Sequence, residues 1–282
     1  MDGFFEKYGR VIIIAVAICF VLLYLTPMRN VVGSSINGFV GNFANKVGDS
    51  LGTVKMPDGS GGATDSEEFK AGNILKIEGN EYIVLEKKDN NQALVITTSS
   101  IGNKTFHENY DYRTQLRSDG QNANTYEGSD IDNYLENEWY NELPNKIKTA
   151  IQTSDIKQAS YVTNFNAGNK GKIIEKYETG YRGQVYHTIS RHVFLPGASD
   201  IGKVVDLEKP YQVKTFLQGT SIWTRDSYAG GRDVGEYFST NSYGLNGILT
   251  SCPIYGSEAV RPAFVIDLSK VDYTVEGTTN YK

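Results

Sequence analysis

The chain has 282 residues, with 28 Lys+Arg against 33 Asp+Glu, 29 Gly, 19 Tyr, two Cys and three His. At 39% hydrophobic and 22% charged it is a folded protein, long enough for one large or two modest cores and too apolar to be disordered. A net charge of −5 argues against a nucleic-acid partner, Cys19 and Cys252 build neither a disulfide framework nor a cysteine-rich metal site, and three histidines leave no multi-histidine metal centre. No cofactor and no metal is expected.

Residues 1–54 hold only Asp2, Glu6, Lys7, Arg10, Arg29, Lys46 and Asp49 as charges, so the acidity belongs to the rest of the chain. Residues 11–25, VIIIAVAICFVLLYL, are an unbroken apolar run with Ile14, Ile18, Val21, Leu22 and Leu25 along it. As a helix it spans roughly 22 Å, and Lys7 and Arg10 on its flank favour a cytoplasmic N-terminus with the remainder exported. After Pro27, residues Val32, Ile36, Phe39, Val40, Phe43, Val47 and Leu51 step by three or four, one face of an amphipathic helix. Three readings of 1–54 follow: a signal anchor with a stalk, a signal peptide cleaved after Val31-Val32-Gly33, or an assembly helix.

The third reading carries a resemblance. An apolar half followed by an amphipathic half resembles the long N-terminal helix of type IV pilin-like proteins, in architecture and not in cleavage motif. That resemblance implies self-association through the listed apolar positions, first in a membrane and then in a filament.

Residues 55–68 are rich in Gly, Ser and Pro and form a linker; the body runs over 69–282. Residues 74–100 read as a three-strand meander with turns at Glu78-Gly79-Asn80-Glu81 and at Asp89-Asn90-Asn91. Residues 102–128 read as loop. Ser129 caps a helix carrying Ile131, Tyr134, Leu135 and Trp139, and Pro144 opens a second helix with Ile147, Ala150 and Ile151. Residues 157–190 suggest short strands or a long excursion, HVFLPGASDIG (192–202) a buried strand running into a turn, and Ser221 to the end short apolar pieces alternating with Gly-rich turns. The expected class is α+β, strands at both ends with two helices between.

The order of that meander, SDIDNYLENEWYNELPNKIKTAIQTSDI (129–156), HVFLPGASDIG, IWTRDS (222–227) and VRPAFVIDL (260–268) resembles a widespread family of uncharacterised bacterial surface and phage-associated domains, over about residues 70–270. The closing pattern is similar to the formylglycine-generating-enzyme and C-type-lectin-like fold, which implies a lectin-like head.

For chemistry, Trp223, Arg225, Asp226, Tyr237, Tyr243 and Arg261 are the candidate ligand-binding residues, since Trp and Tyr stack and Arg forks onto polar groups. The competing reading makes Arg225 or Arg261 a buried partner of Asp226 or Asp267. Cys252 alone cannot support formylglycine-type oxidation, and as a nucleophile it would need His187 or His192 beside it. The Gly-rich stretch 229–247 has the composition of adaptable binding loops. The expectation is a non-enzymatic surface protein, pilin-like and filament-forming. The alternative is a monomeric membrane-anchored adhesin or receptor, placed extracellularly by a single-pass anchor, that binds a glycan or protein through its C-terminal domain.

Overall fold

The computed structural model describes residues 68–89, 91–163, 174–239, 248–279 and 281. The chain divides into two units, residues 1–64 and 65–282, and the described residues lie in the second. Along it run β1 (Asn73–Ile77), β2 (Asn80–Lys87), β3 (Gln92–Thr97) and β4 (Asn103–Thr105). Then come α1 (Asp130–Tyr134), a π-helical turn (Leu135–Trp139), α2 (Tyr140–Glu142) and α3 (Asn145–Ala150). Short strands follow: β5 (Ile151–Gln152), β6 (Ser154–Lys157), β7 (Ser160–Thr163), β8 (Ile174–Tyr177) and β9 (Thr188–Arg191). After α4 (Ala198–Ile201) and α5 (Pro210–Leu217) come β10 (Ile222–Tyr228), β11 (Val234–Ser239), β12 (Ile248–Pro253), β13 (Ser257–Ala259), β14 (Ala263–Asp267) and β15 (Tyr273–Thr278).

The meander forms as the sequence predicts, and its turns show why. Glu78 and Gly79 both take positive φ, 48° and 82°, the geometry of a two-residue hairpin connection matched to strand twist. At the next turn Asp89 accepts from the backbone N–H groups of Asn91 and Gln92 at 2.9 and 2.7 Å, replacing bonds the strands cannot make there. The last strand closes on the first, giving a six-stranded sheet in the order β15-β1-β2-β3-β14-β5, antiparallel throughout. Ile83, Val84 and Leu85 are successive and all buried, so this sheet is covered on both faces in mid-strand.

The second sheet runs β12-β11-β10-β13-β4, with β7 alongside β10 in parallel and β8 paired to β7. A separate antiparallel ribbon joins β6 to β9. The core holds Phe264 against Tyr82 at 5.4 Å and Trp223 against Phe106 at 5.6 Å, both edge to face.

Ser129 does cap α1: its Oγ accepts from the Asp132 N–H at 3.2 Å. Asp132 itself is fully buried, and its carboxylate takes a two-pronged bond from Arg191 at 2.8 and 2.7 Å. Pro144 precedes α3, which buries Ile147 and Ala150; Ile151 starts β5 instead of ending the helix.

The expected fold class is corrected on two counts. Strand dominates the described residues, 40% against 19% helix, because the stretch read as loop supplies β4 and because the two helical regions are short. The long N-terminal helix, with Ile14, Ile18, Val21, Leu22, Leu25, Val32, Ile36, Phe39, Val40, Phe43, Val47 and Leu51, lies outside the described residues. Among the described residues no helix is long and apolar enough to cross a membrane, the longest helical run being residues 130–142. Against the expected single-pass placement, then, no spanning helix stands among the described residues, and the pilin-like, fimbrial filament attached to it has no support.

Candidate functional site

Trp223, Arg225 and Asp226 lie together on β10, and all three are buried. The register of β10 against β11 shifts between Trp223 and Ser227, so strict alternation does not hold there, and Arg225 and Asp226 meet the same two segments, around residues 157–159 and 195–200. The Trp223 ring packs against Tyr237 on the neighbouring strand at 6.0 Å, and its Nε1–H donates to the Lys104 carbonyl at 2.8 Å. Gly235 makes room for the indole: a Cβ there would come within 3.2 Å of it.

The Arg225 guanidinium donates to the carbonyls of Lys157 and Leu195, both at 3.1 Å, and to Asp200 at 2.6 Å. Asp226 accepts from the backbone N–H of Ala198 at 2.7 Å and of Ala159 at 3.0 Å. Burial pushes the Asp226 carboxyl up, against the pull of Arg225 and these two donors. Asp200 goes down, because the Arg225 charge and the Gly197 N–H outweigh its own burial. A Cβ on Gly197 would fall 2.9 Å from the guanidinium carbon, so only glycine fits at that position. The motifs PGASD and WTRD are thus two halves of one internal knot.

Arg261 sits elsewhere. It donates to the carbonyls of Thr97 at 2.7 Å and Phe216 at 3.0 Å and lies over the Phe216 ring at 4.5 Å. Among the described residues no carboxylate faces it, and burial lowers it to about 10. Of the two expected pairings, then, Arg225 does find buried carboxylates, with Asp200 the direct partner, while Arg261 meets neither Asp226 nor Asp267. Tyr243 lies outside the described residues. None of the four buried residues offers a free face to a ligand.

The cysteine reading fares no better as chemistry. Burial pushes the Cys252 thiol up to about 11, which keeps it protonated and unreactive at neutral pH. His192 is engaged elsewhere, by Glu136 and Thr153. Glu236 on β11 is fully buried with neither carboxylate oxygen partnered, and desolvation raises it well above the ordinary carboxyl range, so it is carried neutral.

The surface with free faces is one that sequence reasoning passed over as loop. It is pinned by backbone bonds: Phe106 and His107 donate to the Ile254 carbonyl at 3.0 and 3.3 Å, and Ile254 donates to the Asp233 carbonyl at 3.0 Å. These bonds bring the segment after His107, the turn at Asp233 and the turn at Tyr255 to one place. His107 Nδ1 accepts from the Asp130 N–H at 3.3 Å, and the Glu108 N–H donates to Asp130 Oδ2 at 2.8 Å, tying the segment to α1.

A groove of about 580 Å³ opens there, lined among others by Asn109, Tyr110, Asp111, Thr114 and Arg117. Tyr110 is partly covered, and its phenol is raised by that burial and by Asp233, Tyr255 and Tyr112 around it. Tyr112 and Tyr255 are 78% and 59% exposed. Arg232, within the Gly-rich stretch singled out from the sequence, donates to the Thr114 carbonyl at 2.9 Å, so the described part of that stretch abuts the groove. The signal that could have found this surface is NYDY at 109–112, two tyrosines among amide and carboxylate groups in a segment with no apolar period.

Residues 90–268 match the family described as a domain of unknown function, DUF6273. The chain belongs to this family. The match takes in the groove, the Arg225 knot and β3 through β14, and leaves out β1, β2 and β15, half of the six-stranded sheet. No curated protein and no solved structure matches the chain, so the likeness to a lectin-like fold has no more behind it than the order of the motifs.

Proposed function

We propose that this DUF6273 domain binds a glycan in the groove of residues 108–118, without turning it over there. The observation that carries the reading is the display of Tyr112 and Tyr255 beside half-covered Tyr110, on a rim fixed by backbone hydrogen bonds. Tyrosine faces offer rigid apolar area to a pyranose ring and lose little entropy on binding. Asn109, Asp111, Thr114 and Asp233 supply acceptors and donors of the kind sugar hydroxyls need. Of the three cations in or beside the groove, Arg117 is held by Asp119 and the Glu127 carbonyl and Arg232 by the Thr114 carbonyl, while Arg113 is exposed and offset by the acidic groups around it. Glu108 and Asp111 remain exposed, which favours neutral over acidic sugars.

The test is a glycan array probed with the full chain, followed by calorimetry on the best sugar. Tyr112→Ala and Tyr255→Ala should each weaken binding about tenfold or more with an unchanged Tm. Absence of any glycan signal, or affinity indifferent to both substitutions, would overturn the proposal, and so would capture of protein ligands alone.

A further inference from the structure

His192 stands at the end of the β6–β9 ribbon with both ring nitrogens engaged. Glu136 Oε1 lies 2.7 Å from Nδ1, and Glu136 Oε2 accepts from the backbone N–H of His192 at 2.8 Å and of Val193 at 3.3 Å. A carboxylate at Nδ1 requires the proton there, which leaves Nε2 with its lone pair. Nε2 lies 3.1 Å from the Oγ1 of Thr153, an exposed residue between β5 and β6, so the threonine hydroxyl donates to it. The Tyr140 ring stacks on the imidazole at 4.5 Å and 13°, fixing its plane.

Hydroxyl, imidazole and carboxylate in a line, each within hydrogen-bond reach of the next, is the arrangement that activates an oxygen nucleophile. Glu136 lies in the π-helical turn of residues 135–139, a local departure from α-helix that recurs at functional sites. Neither the buried Arg225 knot nor the tyrosine groove uses any of these residues.

We propose that Thr153, His192 and Glu136 form an esterase site acting on short-chain O-acyl esters. Thr153 Oγ attacks the ester carbonyl carbon while His192 Nε2 takes the hydroxyl proton. The carbon–oxygen bond to the alcohol breaks, and that proton leaves with the alcohol. The resulting acyl-threonine is then attacked by water, whose proton passes to Nε2. The acyl–Oγ bond breaks, the acid departs, and Thr153 recovers its proton. Glu136 is the positioning residue that holds the tautomer and offsets the charge on the transient imidazolium. Thr153 is exposed and the histidine side chain is 35% so, which suits a small acyl group carried on a larger alcohol.

The experiment uses the full chain with 4-nitrophenyl acetate and, separately, a fluorophosphonate label. Steady turnover is expected, with acetyl and phosphonyl adducts on Thr153 in peptide mass analysis. Thr153→Val, isosteric and exposed, should lose roughly 100-fold or more of the rate while Thr153→Ser keeps it. Glu136→Gln should lower kcat and shift the acidic limb of the pH profile, which a merely structural role would not do. Because His192→Ala also removes a tie between segments, His192→Gln with Tm measured beside it is the better variant. Turnover by Thr153→Val at the parent rate, adducts on other residues only, or no turnover in the folded parent chain would each overturn the proposal.

Discussion

The knot around Arg225 and the rim around Tyr112 contrast in how their polar groups are used. In the knot, the guanidinium, two carboxylates and five backbone groups satisfy one another, and a glycine is held open to let the charge in. On the rim, backbone bonds fix the chain while the rings of Tyr112 and Tyr255 stay exposed. A Trp-x-Arg-Asp pattern is therefore a poor guide to a ligand site when its own chain fills every donor and acceptor. A polar stretch without periodicity can still be rigid when its backbone is held from outside.

The largest expected effect tests the claim that the knot is internal. Arg225→Met leaves Asp200 and Asp226 buried without their cation and should cost about 3–5 kcal/mol in urea unfolding. A loss below 1 kcal/mol would show that the carboxylates relax to solvent.

Next comes Glu236, whose buried carboxylate oxygens have no hydrogen-bond partner among the described residues. Glu236→Met should stabilise by about 1–3 kcal/mol at pH 7 by removing orphaned polar atoms. The pH dependence has a definite sign. The folded-state carboxyl titrates above its unfolded value of about 4.3, so its proton favours folding at low pH, and that contribution falls as pH rises above the unfolded value. The stability difference between Glu236→Gln and the parent should grow in favour of the variant from pH 4 to pH 8. A difference that is flat with pH would mean the carboxyl reaches water.

Arg261 sharpens the contrast with Arg225, because it leaves no carboxylate behind. Arg261→Met should cost only about 1 kcal/mol, as the apolar side chain still fills the space over Phe216. The smallest effect on stability belongs to the rim: Tyr112→Ala should change unfolding by less than about 0.5 kcal/mol. A large loss there would mean the rim is packed and not displayed.

Much of the fold was legible in local chemistry. Glu78-Gly79 and Asp89 announce their turns, Ser129 its helix, and the runs around Trp223 and Phe264 their strands. Helix α5 has no counterpart among the expected elements; Pro210 at the first helical position starts it, and its buried face is Gln212, Val213, Phe216 and Leu217. Nothing local marks Asp132 as a buried ion-pair partner, because Arg191, which holds it, lies 59 residues away. The same distance problem hid the groove and the Thr153–His192 contact. Residues joined only by tertiary pairing leave no spacing to read. His192 was named, but with Cys252 as its partner, since sequence shows which groups exist and not which ones meet.

The closing of β15 on β1 has a mechanical corollary. Asn73 pairs with Thr278 and Gly72 with Thr279, so the chain enters and leaves this domain at one end of a single antiparallel ladder. Tension applied through both ends would load those bonds one after another instead of all at once, as in opening a zip. The domain would therefore yield first at this seam under a modest pull, while the Arg225 knot on the other sheet would feel the load last.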